Sequence, residues 1–390
     1  MAKKIKLVLA ILLFALFLPG AVLAAAPDEA VVCEAEVVVQ ANDWLSKLAE
    51  KYYGDLLAYP AIMAATNSKN KVDPSFNHIA SADVIEPGWK LCLVNQAEAL
   101  ALLQAEPGGT SYPLTLLDGL GRTVTIAGPP QRIVSLIPSN TETLFALGLG
   151  DRVVGVTKYD TYPPEAQEKD QIGGTTVRSI SIEAILALEP DLVVANDERQ
   201  QEVIDTLTEN GLTVFAVNTV GLADVYRAFD WLGQIADVQP EAQRLKRQLQ
   251  ADLAAISAQI EQIPADQRPT VFYEVWDDPL MTAGPNTFIG QLISLTGADN
   301  IFADIEQDFP TISAEELLAR NPTVILGPEK HAEPLTVEGV AARPGWSEIE
   351  AVQNGRVYPL SADLVSRPGP RLGLALQAMV EVLYPDLFGQ

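Results

Sequence analysis

The sequence predicts an α/β protein with two Rossmann-like lobes bridged by one long helix and preceded by a small βααβ domain. From residue 112 onward, short β-branched runs alternate with helical stretches, as is typical of parallel α/β architecture. Strands are predicted at residues 132–137, 152–157, 191–195, 213–217, 270–275, 323–326 and 356–360. Apolar residues recur at helical spacing from Leu245 to Ile263, which predicts a bridging helix over about residues 240–263.

The strand groups on either side of this helix contain an internal repeat. The segment Ser181–Val194 recurs as Ser313–Leu326 with the same order of features. Each copy starts with a serine that can cap a helix, carries a glutamate two residues later, and ends in a proline and an apolar strand. The repeat predicts two lobes with equivalent halves, at about residues 112–225 and 268–390.

The smaller domain is predicted over residues 31–95. Its elements are a strand at 34–40, a helix at 43–53 ended by Gly54, a helix near 59–66 and a strand at 89–94. Asn42 or Asp43 is available to cap the first helix. An alanine-rich stretch and a Pro-Gly-Gly run follow, which predict a short helix and then a flexible linker within residues 96–111.

Residues 1–26 are predicted to be a signal peptide, because three lysines precede an apolar run over 7–18 that is too short to span a bilayer. The protein is therefore expected to be exported. Lipid attachment would need a small residue directly before the first cysteine, whereas Val32 precedes Cys33, so we expect a protein that is not lipidated. In an oxidising compartment, Cys33 and Cys92 are expected to form one disulfide; two free buried thiols are the alternative.

Composition excludes several classes of protein. The 390 residues carry 26 basic against 51 acidic side chains, and this acid excess argues against binding to nucleic acid. Only two histidines and two cysteines are present, so no metal site is expected. Nucleophile-elbow, Walker A and strand-linked Gly-x-Gly-x-x-Gly motifs are absent from the sequence, which predicts neither an enzyme nor a cofactor.

A ligand site is predicted where the parallel strands end, because ligands of open α/β sheets bind beyond the carboxyl ends of the strands. The residues at these positions are aromatic, amide-bearing or charged. They are Ser139, Asn140, Tyr159, Asp160, Asn196, Asp197, Asn218, Trp276, Asp277 and the segment 363–367.

The small domain resembles a lysin motif, the carbohydrate-binding module of cell-wall proteins. The resemblance lies in residues 44–46, 48–49, 52–55, 67 and 85–91. It implies binding to N-acetylglucosamine chains of peptidoglycan, with Asn42, Asp43, Asn67 and Ile85 at the glycan groove. A spacer without glycan binding is the alternative.

The larger part resembles the solute-binding proteins of ABC importers for cobalamin and ferric siderophores, and is closest to the cobalamin-binding members. The motifs that carry the resemblance are residues 133–142, 146–148, 154–156, 159, 162–164, 172–173, 183, 190–193, 284, 300–302, 313–322 and 363–371. The resemblance implies that residues 112–390 form a receptor that binds its ligand between two lobes.

The same resemblance implies roles for individual residues. Glu183 and Glu315, one on each lobe, would dock on a permease dimer that works with its ATPase; the alternative is that each only favours the start of its helix. The ligand, a corrinoid or a ferric siderophore, would contact Tyr159, Trp276, Phe309, Asp363 and Arg367. A periplasmic or cell-wall location with peptidoglycan association is expected. A sensory or carbohydrate-binding wall protein without a transport role is the alternative.

Overall fold

The structure is a computed structural model that describes residues 31–40, 43–55, 58–79, 85–104, 109–329 and 335–388. Contacts between residues divide the chain into two compact units, Met1–Ala105 and Glu106–Gln390. The predicted signal peptide over 1–26 lies outside the described residues. Among the residues that are described, no helix is long and apolar enough to cross a membrane.

The first unit has the predicted order of strand, helix, helix and strand. Its elements are β1 (Ala35–Val38), α1 (Leu45–Tyr53), α2 (Tyr59–Val72), β2 (Lys90–Leu93) and α3 (Gln96–Gln104). The two strands pair antiparallel, with Ala35 opposite Leu93 and Val38 opposite Lys90. The apolar faces of the helices and strands form one core. This core includes Leu45, Leu48, Ile62 and Leu91.

The ends of the two central helices differ in part from the prediction. As predicted, α1 ends at Gly54, whose φ of 72° lies in the left-handed region that favours glycine. The predicted cap at Asp43 is wrong, because Trp44 occupies the capping position and the Asp43 carboxylate accepts a hydrogen bond from the Gln40 amide at 2.9 Å. Asn42 lies outside the described residues. Helix α2 continues to Val72, beyond the predicted end near residue 66.

Helix α3 belongs to the first unit and does not act as a linker. Its Ala99 is buried in a cluster with Ala61, Ala65 and Phe76. The short helix predicted at the start of the segment 96–111 is therefore confirmed. In the second unit, the amide of Thr110 donates to Asp237 Oδ1 at 2.6 Å.

The predicted disulfide is confirmed. Cys33 precedes β1 and Cys92 lies in β2, and their sulfur atoms are 2.03 Å apart. Cys92 is fully buried, and its backbone amide donates to the hydroxyl of Thr66 in α2 at 3.0 Å. The disulfide thus joins the segment before β1 to β2, and the hydrogen bond to Thr66 joins β2 to α2.

The second unit contains the remaining strands and helices. The strands are β3 (Leu114–Leu117), β4 (Thr123–Ile126), β5 (Ile133–Ser135), β6 (Val153–Val156), β7 (Asp170–Gln171), β8 (Leu192–Ala195), β9 (Val214–Ala216), β10 (Thr270–Tyr273), β11 (Trp276–Asp277), β12 (Leu280–Met281), β13 (Asp299–Asn300), β14 (Val324–Pro328) and β15 (Val357–Leu360). The helices are α4 (Pro138–Ala146), α5 (Ile182–Ala187), α6 (Gln201–Glu209), α7 (Leu222–Ile235), α8 (Gln239–Ile260), α9 (Phe288–Leu295), α10 (Ala314–Arg320), α11 (Val337–Ala341), α12 (Glu350–Gln353), α13 (Ala362–Val365), α14 (Leu372–Leu383) and α15 (Pro385–Phe388).

Two parallel sheets define two lobes within this unit. Lobe one has the strand order β7-β6-β5-β8-β9, and lobe two has the order β13-β10-β14-β15. Every strand predicted from residue 112 onward lies in one of these sheets. The edge strands β7 and β13, with two residues each, and the antiparallel hairpins β3-β4 and β11-β12 were not predicted.

The predicted bridging helix is α8, which joins the two lobes. Its residues Leu249, Ile256 and Ile260 are buried, and α7 packs along it. The buried Lys246 ammonium of α8 pairs with the Asp230 carboxylate of α7 at 2.8 Å. This ion pair gives the buried ammonium of Lys246 an acidic partner in α7.

The internal repeat is also confirmed. The hydroxyl of Ser181 accepts from the Ala184 amide at the start of α5, and that of Ser313 accepts from the Glu316 amide at the start of α10, each at 3.1 Å. The strands that follow, β8 and β14, lie inside their respective sheets. Equivalent helix starts therefore lie on the two lobes.

Candidate functional site

Two predicted ligand residues of lobe two meet the predicted tyrosine loop of lobe one. The Arg367 guanidinium donates to the backbone oxygen of Tyr159 at 3.0 Å and to Asp363 Oδ1 at 2.9 Å. The hydroxyl of Thr161 donates to Asp363 Oδ2 at 3.1 Å. The structure thus brings Tyr159, Asp363 and Arg367 together at the junction of the lobes.

The other two predicted ligand residues lie on neighbouring segments of lobe two. Trp276 in β11 pairs with Met281 in β12, and Met281 also pairs with Thr311, which follows Phe309 by two residues. The indole of Trp276 donates to the backbone oxygen of Asp278 at 2.9 Å, which orients the ring. Trp276 and Phe309 are each 43% exposed, and Tyr159 is 49% exposed. Three aromatic faces are therefore available to a ligand.

A buried carboxylate stabilises the loop that carries Tyr159. Asp160 is only 2% exposed, and it accepts hydrogen bonds from the amide and the hydroxyl of Thr157. Burial raises the pKa of the Asp160 carboxyl above its usual range, although hydrogen bonds from Thr141 and Thr157 and the charge of Arg367 oppose the shift. These bonds close the turn over 157–160 and fix the direction of Tyr159.

An acidic residue that was not assigned from the sequence joins the same region. Glu142 in α4 is 2% exposed, and its two carboxylate oxygens accept from Arg371 Nε at 2.7 Å and Arg371 Nη2 at 2.6 Å. One of them also accepts from Arg367 Nη1 at 3.2 Å. A glutamate buried in this way needs such partners, but the sequence alone does not reveal residues more than 200 positions away.

A cavity of about 850 Å³ lies beside this ion-pair group. It opens between α4, α8 and α14, and its walls include Glu142, Tyr162, Asp252, Arg371 and Leu374. None of the five predicted ligand residues lines it. The exposed aromatic residues and this cavity are therefore separate features of the second unit.

The amides at the strand ends of lobe one hold the backbone. The Asn196 side chain donates to Asp197 Oδ2 at 2.7 Å, and the Asn218 side chain donates to the backbone oxygen of Gly119 at 3.1 Å. Both side chains are partly buried. Both side chains are therefore engaged in hydrogen bonds within lobe one.

The two predicted docking residues are exposed. Glu183 lies in the first turn of α5, and Glu315 lies in the first turn of α10. Because the two helices are the copies of the internal repeat, the carboxylates occupy equivalent positions on the two lobes. The geometry is compatible with contacts to two equivalent partner subunits.

Of the predicted glycan residues, Asp43, Asn67 and Ile85 are described, whereas Asn42 lies outside the described residues. The segments that follow β1 and precede β2 lie side by side, because Val39 exchanges backbone hydrogen bonds with Gly88 and Trp89. Ile85 packs against the core, and the Asn67 side chain bonds to the backbone of Ile79 at 2.9 and 2.7 Å. Asn67 therefore orders the segment before β2.

The arrangement of the second unit defines a class of protein. Among the described residues, no group of three or more histidine, cysteine or acidic side chains could hold a metal ion. Two parallel α/β lobes share one bridging helix, and charged side chains from both lobes meet at their junction. These features are those of a two-lobed ligand-binding receptor.

Comparison with known proteins agrees with this class. Residues 133–364 match the family described as periplasmic binding protein. The Bacillus subtilis protein YvrC, named an uncharacterized ABC transporter substrate-binding lipoprotein, is 36% identical over 282 residues, 71% of this chain and 87% of the relative. The chain therefore belongs to the periplasmic binding protein family, as the resemblance predicted, and its relatives are solute-binding proteins and not enzymes.

Solved structures show the same fold. The periplasmic vitamin B12 binding protein BtuF of Vibrio cholerae matches with a TM-score of 0.55 and 31% identity over 65% of this chain and 97% of that chain. The periplasmic heme-binding protein RhuT from Roseiflexus sp. RS-1, in apo form, matches with a TM-score of 0.60 and 29% identity over 67% and 99% of the two chains. Each of these two structures matches about two thirds of this chain.

One comparison corrects the predicted location. The prediction of an exported, peptidoglycan-associated protein that is not lipidated is wrong in its last part, because the relative YvrC is named a lipoprotein. The prediction rested on the residues just before Cys33 and on the expected pairing of Cys33 with Cys92. A few residues are too little sequence to decide how an exported protein is held at the membrane.

Proposed function

We propose that the second unit is the receptor of an ABC importer and that it captures a corrinoid or an iron chelate between its lobes. The observation that carries the proposal is the junction of Tyr159, Asp363 and Arg367, where side chains of lobe two bond to the loop of lobe one. The names of the relatives support the same ligand classes, since one binds vitamin B12 and another binds heme.

The chemistry of the junction suits such ligands. Corrins and porphyrins are large and flat, and aromatic side chains such as Tyr159, Trp276 and Phe309 cover flat apolar surfaces well. Their edges carry amides or carboxylates, which match the carboxylate of Asp363 and the planar guanidinium of Arg367. A ferric siderophore offers the same combination of an apolar body and polar edges.

A thermal-shift screen tests the proposal. The probes are cyanocobalamin, dicyanocobinamide, haemin and a ferric hydroxamate siderophore. A ligand that binds only the folded protein and is present at about 100 times its Kd stabilises it by about 2.7 kcal/mol, so the receptor should unfold at a higher temperature with one of these probes. No shift with any of them would refute the proposed ligand classes.

Single substitutions locate the site. With the probe that stabilises the protein, Tyr159→Ala is expected to weaken binding while lowering the free energy of unfolding by no more than about 1 kcal/mol, because the ring is half exposed. Arg367→Ala is also expected to weaken binding of that probe. Tyr52→Ala, at an exposed tyrosine of the first unit, is the matched control and should leave affinity unchanged.

We further propose that the first unit binds N-acetylglucosamine chains of peptidoglycan. The support is the βααβ order, together with the two adjacent segments that follow β1 and precede β2. Asp43 lies in the first of these segments and Ile85 in the second. Trp44, 55% exposed at the start of α1, offers an aromatic face at the same end of the unit.

Sedimentation with purified peptidoglycan tests this second proposal. Full-length protein is expected to sediment with the glycan, and Trp44→Ala should weaken sedimentation because aromatic rings stack on sugar faces. Tyr52→Ala, at the opposite end of α1, is the matched control. If full-length protein sediments no better than a variant that lacks residues 27–106, the first unit is a spacer.

A further inference from the structure

We infer that Glu142 is a positioning residue of the ligand site. From lobe one it fixes the side chains of Arg367 and Arg371 in lobe two, and through Arg371 it also fixes Asp363. Asp363 and Arg367 are the residues that would meet the polar edge of the ligand. The inference deepens the proposed function and rests on it for the identity of the site. Its geometry stands on contacts within the second unit.

The first step is the burial of Glu142. Its side chain is 1% exposed, so its negative charge needs strong partners. Arg371 supplies a two-pronged contact through Nε and Nη2 at 2.7 and 2.6 Å, the strongest geometry for an arginine and a carboxylate. The two residues belong to different lobes, so this contact ties α4 to the start of α14.

The second step leads from the pair to the predicted ligand residues. Arg371 Nη2 also donates to the backbone oxygen of Asp363 at 2.8 Å, which holds α13 in place. Arg367 Nη1 donates to Glu142 at 3.2 Å and to the Thr161 hydroxyl at 3.3 Å. Glu142 therefore supports both Asp363 and Arg367.

The third step concerns the donors of Arg367. Its Nη2 donates to Tyr159 and Asp363 while its Nη1 donates to Glu142 and Thr161, so both terminal nitrogens are engaged. A ligand oxygen can take a hydrogen bond from Arg367 only if it replaces one of these acceptors. The contacts to Tyr159 and Thr161 are more exposed than the contact to Glu142, so a ligand would replace one of them while Glu142 keeps the guanidinium in place.

Removal of the Glu142 charge would change the site in a defined way. Arg367 and Arg371 would lose the carboxylate they share and would repel each other at short range. Glu142→Gln keeps the shape of the side chain and removes only the charge. The matched control is Asp230→Asn, which removes the acid of another ion pair between helices, that with Lys246, away from this junction.

Amide hydrogen exchange tests the inference without any ligand. In Glu142→Gln, exchange over residues 157–162 and 361–371 is expected to be about tenfold faster than in the wild type. In Asp230→Asn, these two segments should exchange at the wild-type rate. Unchanged exchange in Glu142→Gln, or equal acceleration in both variants, would overturn the positioning role.

A ligand measurement then separates positioning from general destabilisation. With whichever of cyanocobalamin, dicyanocobinamide, haemin or the ferric siderophore binds the wild type, Glu142→Gln should raise the Kd by roughly tenfold. In the Arg367→Ala background the same substitution should have a smaller further effect, because only its action through Arg371 and Asp363 remains. Additive losses would contradict the inference. If no probe binds the wild type, the proposed function fails while the exchange result still decides the role of Glu142.

Discussion

Replacing Glu183 and Glu315 together by alanine is expected to abolish ligand uptake and to leave ligand affinity unchanged. Both carboxylates are exposed and lie in the first turns of α5 and α10, and neither belongs to the hydrogen-bonded group of Glu142, Arg367 and Arg371. Contacts between carboxylates and arginines fix orientation as well as affinity, so loss of both would leave a loaded receptor that cannot dock. Uptake of labelled cyanocobalamin or haem by cells that carry the variant measures the effect.

The control must separate docking from the ordinary effect of an acid at a helix start. Glu202 in α6 and Glu338 in α11 are also exposed first-turn glutamates, one in each lobe. Their double alanine variant removes the same charge and the same interaction with the helix dipole, which is worth roughly 0.3 to 1 kcal/mol per site. Uptake should persist in this control.

Either deviation would be informative. Equal loss of uptake in both double variants would point to net charge and not to docking. Retained uptake in the Glu183 and Glu315 variant would remove these residues from the transport function. It would also favour the alternative of a wall protein that senses a ligand or binds carbohydrate without delivering it.

Features of the fold that depend on long sequence patterns were predicted, whereas those that depend on two or three residues were not. The bridging helix α8 has an apolar period over many turns, and the copies that begin at Ser181 and Ser313 support each other, so both features are confirmed. Strands β7 and β13 have two residues each, which is too short for any alternation to be visible. Helix α3 was predicted from its alanine-rich composition, which does not reveal that Ala99 packs against α2.

The candidate site shows a sharper limit. Asp363 and Arg367 are four residues apart, and they pair with each other as well as with lobe one. Glu142 and Arg371 both lie in segments that carry the family resemblance, yet their contact joins α4 to α14 across the lobes. A pairing between distant segments depends on how the sheets are placed, and no local pattern encodes it. The buried Asp160 was noted only as a strand-end residue for the same reason.

Replacing Cys33 and Cys92 together by alanine is expected to lower the free energy of unfolding of the first unit by about 4 kcal/mol. The disulfide spans 59 residues of sequence, nearly the whole unit, so its loss gives the unfolded chain much more freedom. A unit this small has little stability to lose. Alanine is the appropriate replacement because Cys92 is fully buried among apolar residues, where a serine hydroxyl would add a separate penalty.

Amide exchange in the full-length protein measures this effect, because it reports on each unit separately. The slowest amides of β1 and β2 are expected to exchange about a thousandfold faster in the double variant, which corresponds to about 4 kcal/mol. Amides of β8 and β14, in the second unit, should keep their wild-type rates. Wild-type protein treated with dithiothreitol should behave like the variant, since reduction removes the same bond without a mutation. If β1 and β2 stay as protected as in the oxidised protein, packing of α1 and α2 against the strands holds the unit together, and the disulfide contributes little to its stability.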